Sequence, residues 1–599
     1  MDRKQSPHQP FAKPEHRPSN TSNMGTVHPA LPAKAARNFL PVTLELNLWE
    51  DIESFYKNLA EREIQSVQEL EKWMRDRSEL EAFVSEDMGW RYIKMTCSTE
   101  DKTLLEKYQY FVNEIEPKIA PISNELNKKL VSHPLLNQLD ADKYKIYLRS
   151  VKKSLEIFRQ ENIPLFSQIQ NEQQKYAAIT GAMSILWDGK EITLQQASLL
   201  LKDLNRETRQ KAYELVVARR LQDADALNEL FDTLLQLRHQ VAVNAGYLNF
   251  RDYMFDAMGR FDYRPQDCLN FHQAIKNTIL PLEETIDEKR RLALNVAQLR
   301  PWDQDVDTSG QPALKPYSNS AELIQKTIAC FKQLDPYFGA CIEVMQELGY
   351  LDLDSRKGKA PGGYNYPLYE KGVPFIFMNS VGSHRDMVTM LHEGGHAIHN
   401  FLTHQLELTD FKSTPSEVAE LASMSMELIS MEHWNLFFTS AEELKRAKQE
   451  QLEQVLGTLT WVATIDKFQH WIYENPQHTA IERKEKWLSI LDEFGSKIID
   501  WSGYKNAKAN LWLKQLHLFE VPFYYIEYGM AQLGAIAIWR NYKQNPAKAV
   551  QMYSAALSLG YTKTIGEIYA TAGIQFDFSE NNVRELASFV KQELDLLNN

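Results

Sequence analysis

Cysteine is scarce in this chain of 599 residues. The four cysteines lie far apart, without the short spacings of metal-binding or redox pairs: Cys97, Cys268, Cys330 and Cys341. We therefore expect free thiols in a reducing compartment rather than a disulfide framework. The N-terminal residues also lack the apolar core of a signal peptide, so we predict a cytoplasmic protein.

Long apolar runs and basic patches are missing as well. The longest apolar stretch, "GMAQLGAIAIW" at residues 529–539, falls well short of the roughly 20 residues that a membrane span needs. The net charge is −13, and lysines and arginines do not gather into runs with interleaved aromatic residues. We expect neither a membrane nor a nucleic acid as a partner. The sequence does not specify the oligomeric state, and a monomer is compatible with it.

Changes in composition along the chain predict its domain organisation. Residues 1–38 combine Pro, Ser, Asn, Lys and His with few large apolar groups, which predicts a disordered tail. From about residue 48, apolar residues recur at the three- and four-residue spacing of helices. A change of pattern near residue 195 then divides the folded part into an N-terminal helical domain, 39–195, and a second domain, 196–599.

Two segments are typical of strands. "SILWDGKEITL" at residues 184–194 predicts a β-hairpin, because Asp188-Gly189 supplies a tight turn between two β-favouring runs. "RKGKAPGGYNYPLYEKGVPFIFMNS" at residues 356–380 is rich in glycine, proline and tyrosine and ends in a compact apolar run. That run, 374–378, is long enough for a strand and too short for a stable helix.

The strand leads into "TMLHEGGHAIHNFLTH", residues 389–404, which holds four of the fifteen histidines. His392 and His396 are four residues apart with Glu393 between them, giving the pattern H-E-x-x-H. On a helix, the two imidazoles lie about 40° apart around the axis and one turn apart along it, so both can reach one ion. We predict one Zn²⁺ per chain, with an open position for a water molecule. The alternative is a pair of structural core histidines.

The other two histidines of this segment do not fit the same ion. His399 shares the helix face of His392, but the two are seven residues apart, about 10.5 Å along the axis. His404 points elsewhere. We expect both to be bystanders, so that the third ligand arrives from another element.

The acidic segment "STPSEVAELASMSMELISMEHWN", residues 413–435, is the nearest source of that ligand. Thr414 and Glu417 have the spacing of a capping box, which gives Glu417 a structural role. Glu420 and Glu427 are seven residues apart on one stripe, so only one can bind the ion while the other orients a histidine. Spacing alone does not rank the two.

Two further features accompany the histidines. Each glycine of the Gly394-Gly395 pair costs about 1 kcal/mol inside a helix, so we expect a substrate backbone or the preceding strand to approach closely there. In "HLFEVPFYYIEYGMAQLGA", residues 517–535, the phenols offer donors for an oxyanion, although tyrosine stripes are also common in cores.

Together these motifs resemble the thimet oligopeptidase and oligoendopeptidase F family of zinc metallopeptidases, on the oligoendopeptidase F side. The resemblance rests on "HEGGHAIH", "AELASMSMEL", "GKAPGGY", "PFIFMN" and "HLFEVPFYYIEYG". It implies a mainly α fold with two lobes around a deep channel and a small β-sheet beside the zinc helix. It also implies that "PFIFMN" is the edge strand that pairs with a peptide backbone, and that residues 196–599 form a catalytic metallopeptidase domain.

The resemblance further implies a role for each site residue. It makes Glu427 the third zinc ligand and Glu420 the residue behind a ligating histidine. Glu393 becomes the general base that activates the zinc-bound water. The residues that bind the substrate backbone and the oxyanion would be His517, Tyr525 and Tyr528, although the spacing from the histidine to the tyrosines is one residue shorter than in thimet oligopeptidase.

The predicted function is hydrolysis of internal bonds in short peptides by a zinc endopeptidase. A zinc carboxypeptidase or dipeptidyl carboxypeptidase of similar fold is an alternative, and it would need a cationic group for the C-terminal carboxylate of the substrate. A non-catalytic peptide-binding protein is another. The intact Glu393 and Tyr525 argue against the second alternative.

Overall fold

The computed structural model describes residues 28–32 and 37–598. Most of the predicted tail, 1–38, therefore lies outside the described residues. Within the described part, His28 Nε2 lies 2.8 Å from Asp335 Oδ2, so this short stretch packs on the body of the protein.

Over the described residues, the chain forms twenty-five α-helices and five short strands, with short 3₁₀ and π segments between them. The first six helices precede the hairpin: α1 (Glu50–Glu61), α2 (Val67–Cys97), α3 (Lys102–Tyr110), α4 (Glu116–Val131), α5 (Ala141–Ile157) and α6 (Ile163–Gly181). The next eight follow it: α7 (Leu194–Ser198), α8 (Arg206–Gln222), α9 (Ala224–Asn244), α10 (Phe250–Ala257), α11 (Pro265–Thr278), α12 (Leu280–Ala293), α13 (Ser320–Leu334) and α14 (Pro336–Leu348).

The remaining helices carry the predicted site residues or pack around them. They are α15 (His384–Thr403), α16 (Thr409–Lys412), α17 (Ser416–Ser430), α18 (Ala441–Glu474), α19 (Ala480–Phe494), α20 (Lys505–Ala509), α21 (Leu516–Glu520), α22 (Ile526–Gln544), α23 (Pro546–Leu557), α24 (Ile565–Thr571) and α25 (Glu580–Asn598).

The predicted hairpin is present. Strands β1 (Ser184–Trp187) and β2 (Lys190–Thr193) pair antiparallel. Asp188 and Gly189 between them both have positive φ, 47° and 82°, as a two-residue turn that matches the strand twist requires.

The second sheet corrects one expectation. Its strands β3 (Leu351–Asp354), β4 (Tyr364–Tyr366) and β5 (Phe375–Ser380) lie in the order β3-β5-β4. The run "PFIFMN" therefore belongs to the central strand and is not an edge strand. All but one residue of β5 is buried, as expected for a strand with neighbours on both sides. The edge next to the predicted zinc helix is β4, whose residues line a cavity there.

Two hydrophobic cores fill most of the molecule. Helices α1 to α5 enclose one of them, together with Leu408 and Phe411 from the later part of the chain. The larger core runs through the helices that follow, and it includes Ile169 and Tyr176 of α6. Helix α6 precedes residue 195 but packs in the core of the later helices. The division of the chain at residue 195 therefore stays a prediction.

The apolar stretch 529–539 lies in α22 and is almost entirely buried. Among the described residues, no helix combines the length and the apolar character that crossing a membrane would need. All four cysteines are free.

Candidate metal centre

Helix α15 brings the two histidines of the H-E-x-x-H pattern to one side. Its N-terminus is fixed by a capping box between Ser383 and Asp386. The rings of His392 and His396 lie 4.9 Å apart, nearly perpendicular to each other. Their Nε2 atoms are 3.4 and 3.6 Å from the same oxygen, Oε2 of Glu420 on α17.

These distances fit a metal ion better than direct hydrogen bonds. Zinc binds nitrogen and oxygen at about 2.0–2.1 Å, and a tetrahedral arrangement then puts ligand atoms about 3.3 Å apart. The ligand atoms of His392, His396 and Glu420 all lie within 4.8 Å of one another. Burial lowers the pKa of His396 to about 4, which leaves a neutral imidazole. Burial opposes ionisation of Glu420, but His396, His392 and Tyr524 lower its pKa to about 2.

Glu427 occupies the opposite side of the first histidine ring. Its Oε1 is 2.7 Å from His392 Nδ1, and its Oε2 accepts a hydrogen bond of 2.8 Å from Gln451 Nε2. The structure therefore exchanges the positions expected of the two carboxylates: Glu420 lies on the side where both Nε2 atoms converge, and Glu427 lies behind His392. The choice depends on where α17 crosses α15, because a shift of two turns along α17 exchanges the two carboxylates.

The glycine pair explains how the two helices come so close. A Cβ atom on Gly395 would lie 2.6 Å from Ser423 Cα and 2.8 Å from the Ala422 carbonyl oxygen, both on α17. A Cβ on Gly394 would lie 2.6 Å from the Phe331 ring. The expectation that a substrate backbone or the preceding strand approaches these glycines is therefore wrong. The glycines make room for α17 and for Phe331 of α13.

Glu393 is buried beside this cluster, with only 5% of its surface exposed. Its Oε2 has no hydrogen-bond partner among the described residues. Burial raises the pKa of Glu393 to about 7, although the neighbouring His392 opposes the shift. An unpartnered buried carboxylate of this kind can accept a proton from a molecule bound in the cavity.

The two other histidines of the segment 389–404 are His399 and His404. Burial lowers the pKa of His399 to about 3, and its Nε2 atom has no hydrogen-bond partner among the described residues. His404 Nδ1 donates to the Phe401 carbonyl at 2.7 Å. Neither belongs to the group of converging ligand atoms.

Glu417 does not form the predicted capping box. Helix α17 begins without a side-chain cap, and Glu417 is 2% exposed. It accepts a hydrogen bond of 2.7 Å from the Tyr263 hydroxyl, near the buried pair of Arg260 and Glu527. The nearby guanidinium accounts for a buried carboxylate at this position, which a capping pattern could not reveal.

The tyrosine-rich segment contributes two of the three predicted residues and one that sequence reasoning missed. His517 and Tyr528 line the same cavity as the metal cluster, and His517 Nε2 lies 2.9 Å from the Tyr528 hydroxyl. Tyr525 does not line that cavity, and its ring packs on the His517 ring at a centroid distance of 4.9 Å. The missed residue is Tyr524, whose hydroxyl donates a 2.5 Å hydrogen bond to Glu420 Oε1.

An irregular turn places Tyr524 there. Phe523 has φ of 67°, and its backbone N–H donates to Gln469 Oε1 at 2.6 Å. Helix α22 starts only at Ile526, so Tyr524 precedes the helix and lies in the turn. No sequence signal marks a left-handed phenylalanine.

A chain of hydrogen bonds fixes the protons around His517. The Trp461 indole can only donate, and it donates to Gln515 Oε1 at 3.0 Å. The Gln515 amide nitrogen therefore faces His517 Nδ1, at 2.8 Å, and donates to it. Burial lowers the pKa of His517 to about 4, so the ring is neutral and carries its proton on Nε2. Nε2–H then donates to the Tyr528 oxygen, and the Tyr528 hydroxyl proton is free for another acceptor.

The cluster lines one of two neighbouring cavities, which share part of their walls. One, of about 540 Å³, is bounded by His392, His396 and Glu420 and by Tyr92 and Tyr108 of the N-terminal helices. The other, of about 870 Å³, shares Gly363, His517 and Tyr528 with the first. The two form an elongated space that passes the metal cluster, and an extended chain can occupy such a space.

A second group of ligand atoms is less suited to chemistry on a substrate. Cys268, Asp466 and His470 also lie within 4.8 Å of one another, but all three are buried. Asp466 Oδ2 already accepts a hydrogen bond of 2.8 Å from His272 Nε2. Only the group on α15 and α17 borders a cavity described above.

Solved structures share this fold. One described as oligoendopeptidase F has a TM-score of 0.88 at 26% identity, covering 94% of this chain and 99% of the other. PZ peptidase A with an inhibitor also has a TM-score of 0.88, at 24% identity, over 93% of this chain and 99% of that one. The helical fold, together with the H-E-x-x-H residues that line a cavity, thus assigns the chain to a class of helical peptidases.

Sequence comparison gives the family. A model of peptidase family M3 matches residues 199–588, and a model of the peptidase M3 N-terminal domain matches residues 39–158. An oligoendopeptidase F homolog from Lactococcus lactis subsp. lactis is 21% identical over 504 residues, covering 82% of this chain and 78% of the relative. The chain belongs to peptidase family M3. The predicted family, peptidase activity and mainly α fold are therefore confirmed.

The contact at Gly395 can be tested by adding one methyl group. Gly395→Ala should separate α15 from α17, and overpacking of this kind destabilises proteins by about 1–3 kcal/mol. We expect a lower melting temperature and weaker zinc binding, measured by calorimetry and by competition with a zinc chelator. The matched control is Gly566→Ala, since Gly566 is also helical but has open space around it. Unchanged zinc affinity and melting temperature in Gly395→Ala would contradict the proposed role of this contact.

Proposed function

We propose that this chain is a zinc-dependent oligopeptidase that holds one zinc ion with His392, His396 and Glu420 and hydrolyses peptide bonds within short peptides. The observation that carries the proposal is the convergence of three ligand atoms beside the unpartnered Glu393 carboxylate at the wall of a cavity. Membership of peptidase family M3 supports peptides as the substrate class. The metal and the residue roles are part of the proposal.

The ligands are held in place by groups behind them. Glu427 accepts the Nδ1 proton of His392, so that Nε2 presents its lone pair to the ion. Tyr524 occupies Glu420 Oε1 and leaves Oε2 for the ion. His396 needs no proton removed, because it is neutral at physiological pH.

Glu393 is the general base. A bound zinc ion would polarise the attacked carbonyl and acidify a water molecule. Glu393 takes the proton from the attacking water and later delivers it to the leaving amine. Its place one residue after His392 brings its carboxylate to the edge of the ligand cluster, and its burial keeps bulk water from competing for the proton.

Tyr528 stabilises the negative charge that develops on the carbonyl oxygen. Its hydroxyl oxygen accepts from His517 Nε2–H, which leaves the hydroxyl proton to donate to that oxygen. Gln515 and Trp461 act through His517 by fixing its tautomer. Tyr525 supports this arrangement from behind, since its ring packs on His517 at a centroid distance of 4.9 Å.

The role of Glu393 can be separated from metal binding. Glu393→Gln should retain zinc and lose peptide cleavage by about 10²–10⁴-fold, as expected when a general base is removed. Zinc content by mass spectrometry and cleavage of a quenched fluorescent peptide measure the two effects on one sample. Full activity in this variant would exclude Glu393 as the base.

Substitution of either carboxylate on α17 should change zinc binding, but to different extents. Glu420→Ala should lose the zinc ion, whereas Glu427→Ala should keep it with affinity reduced by about 10–100-fold. Glu432→Ala is the matched control, since Glu432 pairs with Lys448 away from the site. Loss of zinc in Glu427→Ala with retention in Glu420→Ala would restore the order expected from the family resemblance.

The tyrosines can be ranked in the same assay. Tyr528→Phe should lower kcat by about 10²–10³-fold with little change in KM, because a donor to the oxyanion acts in the transition state. Tyr525→Phe should have a smaller effect, since Tyr525 lines neither of the two cavities. A greater loss of kcat in Tyr525→Phe than in Tyr528→Phe would show that the two roles have been exchanged.

A further inference from the structure

The larger cavity is rich in basic groups, although the whole chain has a net charge of −13. Three carboxylates line this cavity, but six basic side chains do. The basic residues are Arg220, Arg356, Lys359, Lys497, Lys508 and Lys514. The smaller cavity on the other side of the metal cluster differs, because three glutamates and a single lysine line it. Basic side chains are therefore concentrated in the larger cavity.

Most of these basic groups already have partners. Arg356 and Lys359 both bond to the Asp352 carboxylate. Lys508 bonds to the Asp492 carboxylate, and Lys497 donates to the carbonyl oxygen of the same residue. These contacts leave Arg220 and Lys514.

Among the described residues, Arg220 and Lys514 form neither an ion pair nor a side-chain hydrogen bond. Both are exposed to the cavity while protein surrounds them. Lys514 Nζ lies 5.0 Å from the centre of the Trp461 ring. Burial and the charge of Arg220 lower the pKa of Lys514 to about 8, although Asp305 opposes the shift. Arg220 and Lys514 line the same cavity, so an anion bound there would be attracted by both charges.

Their position connects them to the catalytic centre. Lys514 precedes His517 by three residues, and both line this cavity together with Tyr528. Trp461 contacts Lys514 with its ring face and donates its indole proton to Gln515, the residue that fixes His517. A peptide whose scissile carbonyl reaches Tyr528 would extend into the same cavity.

We propose that Arg220 and Lys514 form a subsite that binds a carboxylate of the peptide substrate. The proposal rests on the proposed function and names the substrate class of that site. An arginine can bind a carboxylate through two parallel hydrogen bonds, and a lysine adds a third charged donor. The carboxylate is either the C-terminus of the peptide or an Asp or Glu side chain a few residues from the scissile bond. The subsite therefore selects peptides that carry negative charge on one side of the cleaved bond.

Three versions of one short, otherwise neutral peptide test the proposal. The first has a free C-terminal carboxylate, the second a C-terminal amide, and the third a C-terminal amide with one glutamate near that end. A charged hydrogen bond contributes about tenfold or more to affinity, so the wild-type protein should prefer a carboxylate-bearing peptide by at least that factor in kcat/KM. Preference for the first peptide alone identifies the C-terminus as the ligand, and equal preference for the first and third identifies carboxylates in general.

Substitutions then locate the preference. Arg220→Gln and Lys514→Gln should each reduce the ratio between the acid and amide peptides toward one, mainly through KM. Raising the salt concentration should reduce the wild-type ratio, because screening weakens a charge-based preference. The control is Lys484→Gln, since Lys484 is an exposed lysine of α19 outside the cavity and should keep the wild-type ratio. A wild-type ratio near one, or a ratio that both cavity variants retain, would overturn the proposal.

A binding measurement keeps this test independent of catalysis. Fluorescence anisotropy of labelled acid and amide peptides on Glu393→Gln protein should show the same preference. If no peptide is cleaved by zinc-loaded wild type while the acid peptide still binds preferentially, the proposed function fails and the subsite stands. If the peptides are cleaved but acid and amide bind equally, the subsite fails and the proposed function stands.

Discussion

The close approach of α15 and α17 at Gly395 is the contact on which the site depends. Because Gly395 has no side chain, the backbone of α17 lies against α15 at the level of Ala422 and Ser423. This close packing brings Glu420 to the Nε2 atoms of His392 and His396, and it brings Glu427 to the Nδ1 atom of His392. A larger residue would move both carboxylates together, since they lie on one rigid helix. The cost of two helical glycines is therefore offset by the geometry of the ligand cluster.

A second principle is that His392, Glu420 and Tyr528 each have one atom occupied from behind, so that another faces the cavity. Glu427 occupies His392 Nδ1, and Tyr524 occupies Glu420 Oε1. The chain from Trp461 through Gln515 and His517 does the same for the Tyr528 hydroxyl. Because these groups are buried, reorienting them would leave polar atoms without partners. The site is thus arranged before a substrate or a metal binds.

Local patterns in the sequence predicted the parts of the site that depend on one element. The H-E-x-x-H spacing located the histidines and Glu393 because helix geometry is the same in every protein. Axial reach excluded His399 for the same reason. The third carboxylate was not predictable in this way, since both Glu420 and Glu427 satisfy the helical spacing and only the crossing of two helices decides between them.

The errors have a common cause. The edge position expected for "PFIFMN" depended on the order of the strands in the sheet. This strand lies between β3, which is distant in sequence, and β4, which is very short. Tyr524 was missed because a left-handed residue, Phe523, interrupts the helical pattern. Glu417 matched a capping pattern but accepts a hydrogen bond from the hydroxyl of Tyr263, in the loop between α10 and α11. Each depends on contacts between elements, which periodicity does not report.

The most direct measurement is a crystal structure of the zinc-loaded protein with anomalous diffraction recorded at the zinc edge. The account predicts one strong zinc peak at about 2.0–2.2 Å from His392 Nε2, His396 Nε2 and Glu420 Oε2, with Glu427 on His392 Nδ1. A zinc ion bound through Glu427, or no zinc between the two helices, would contradict it.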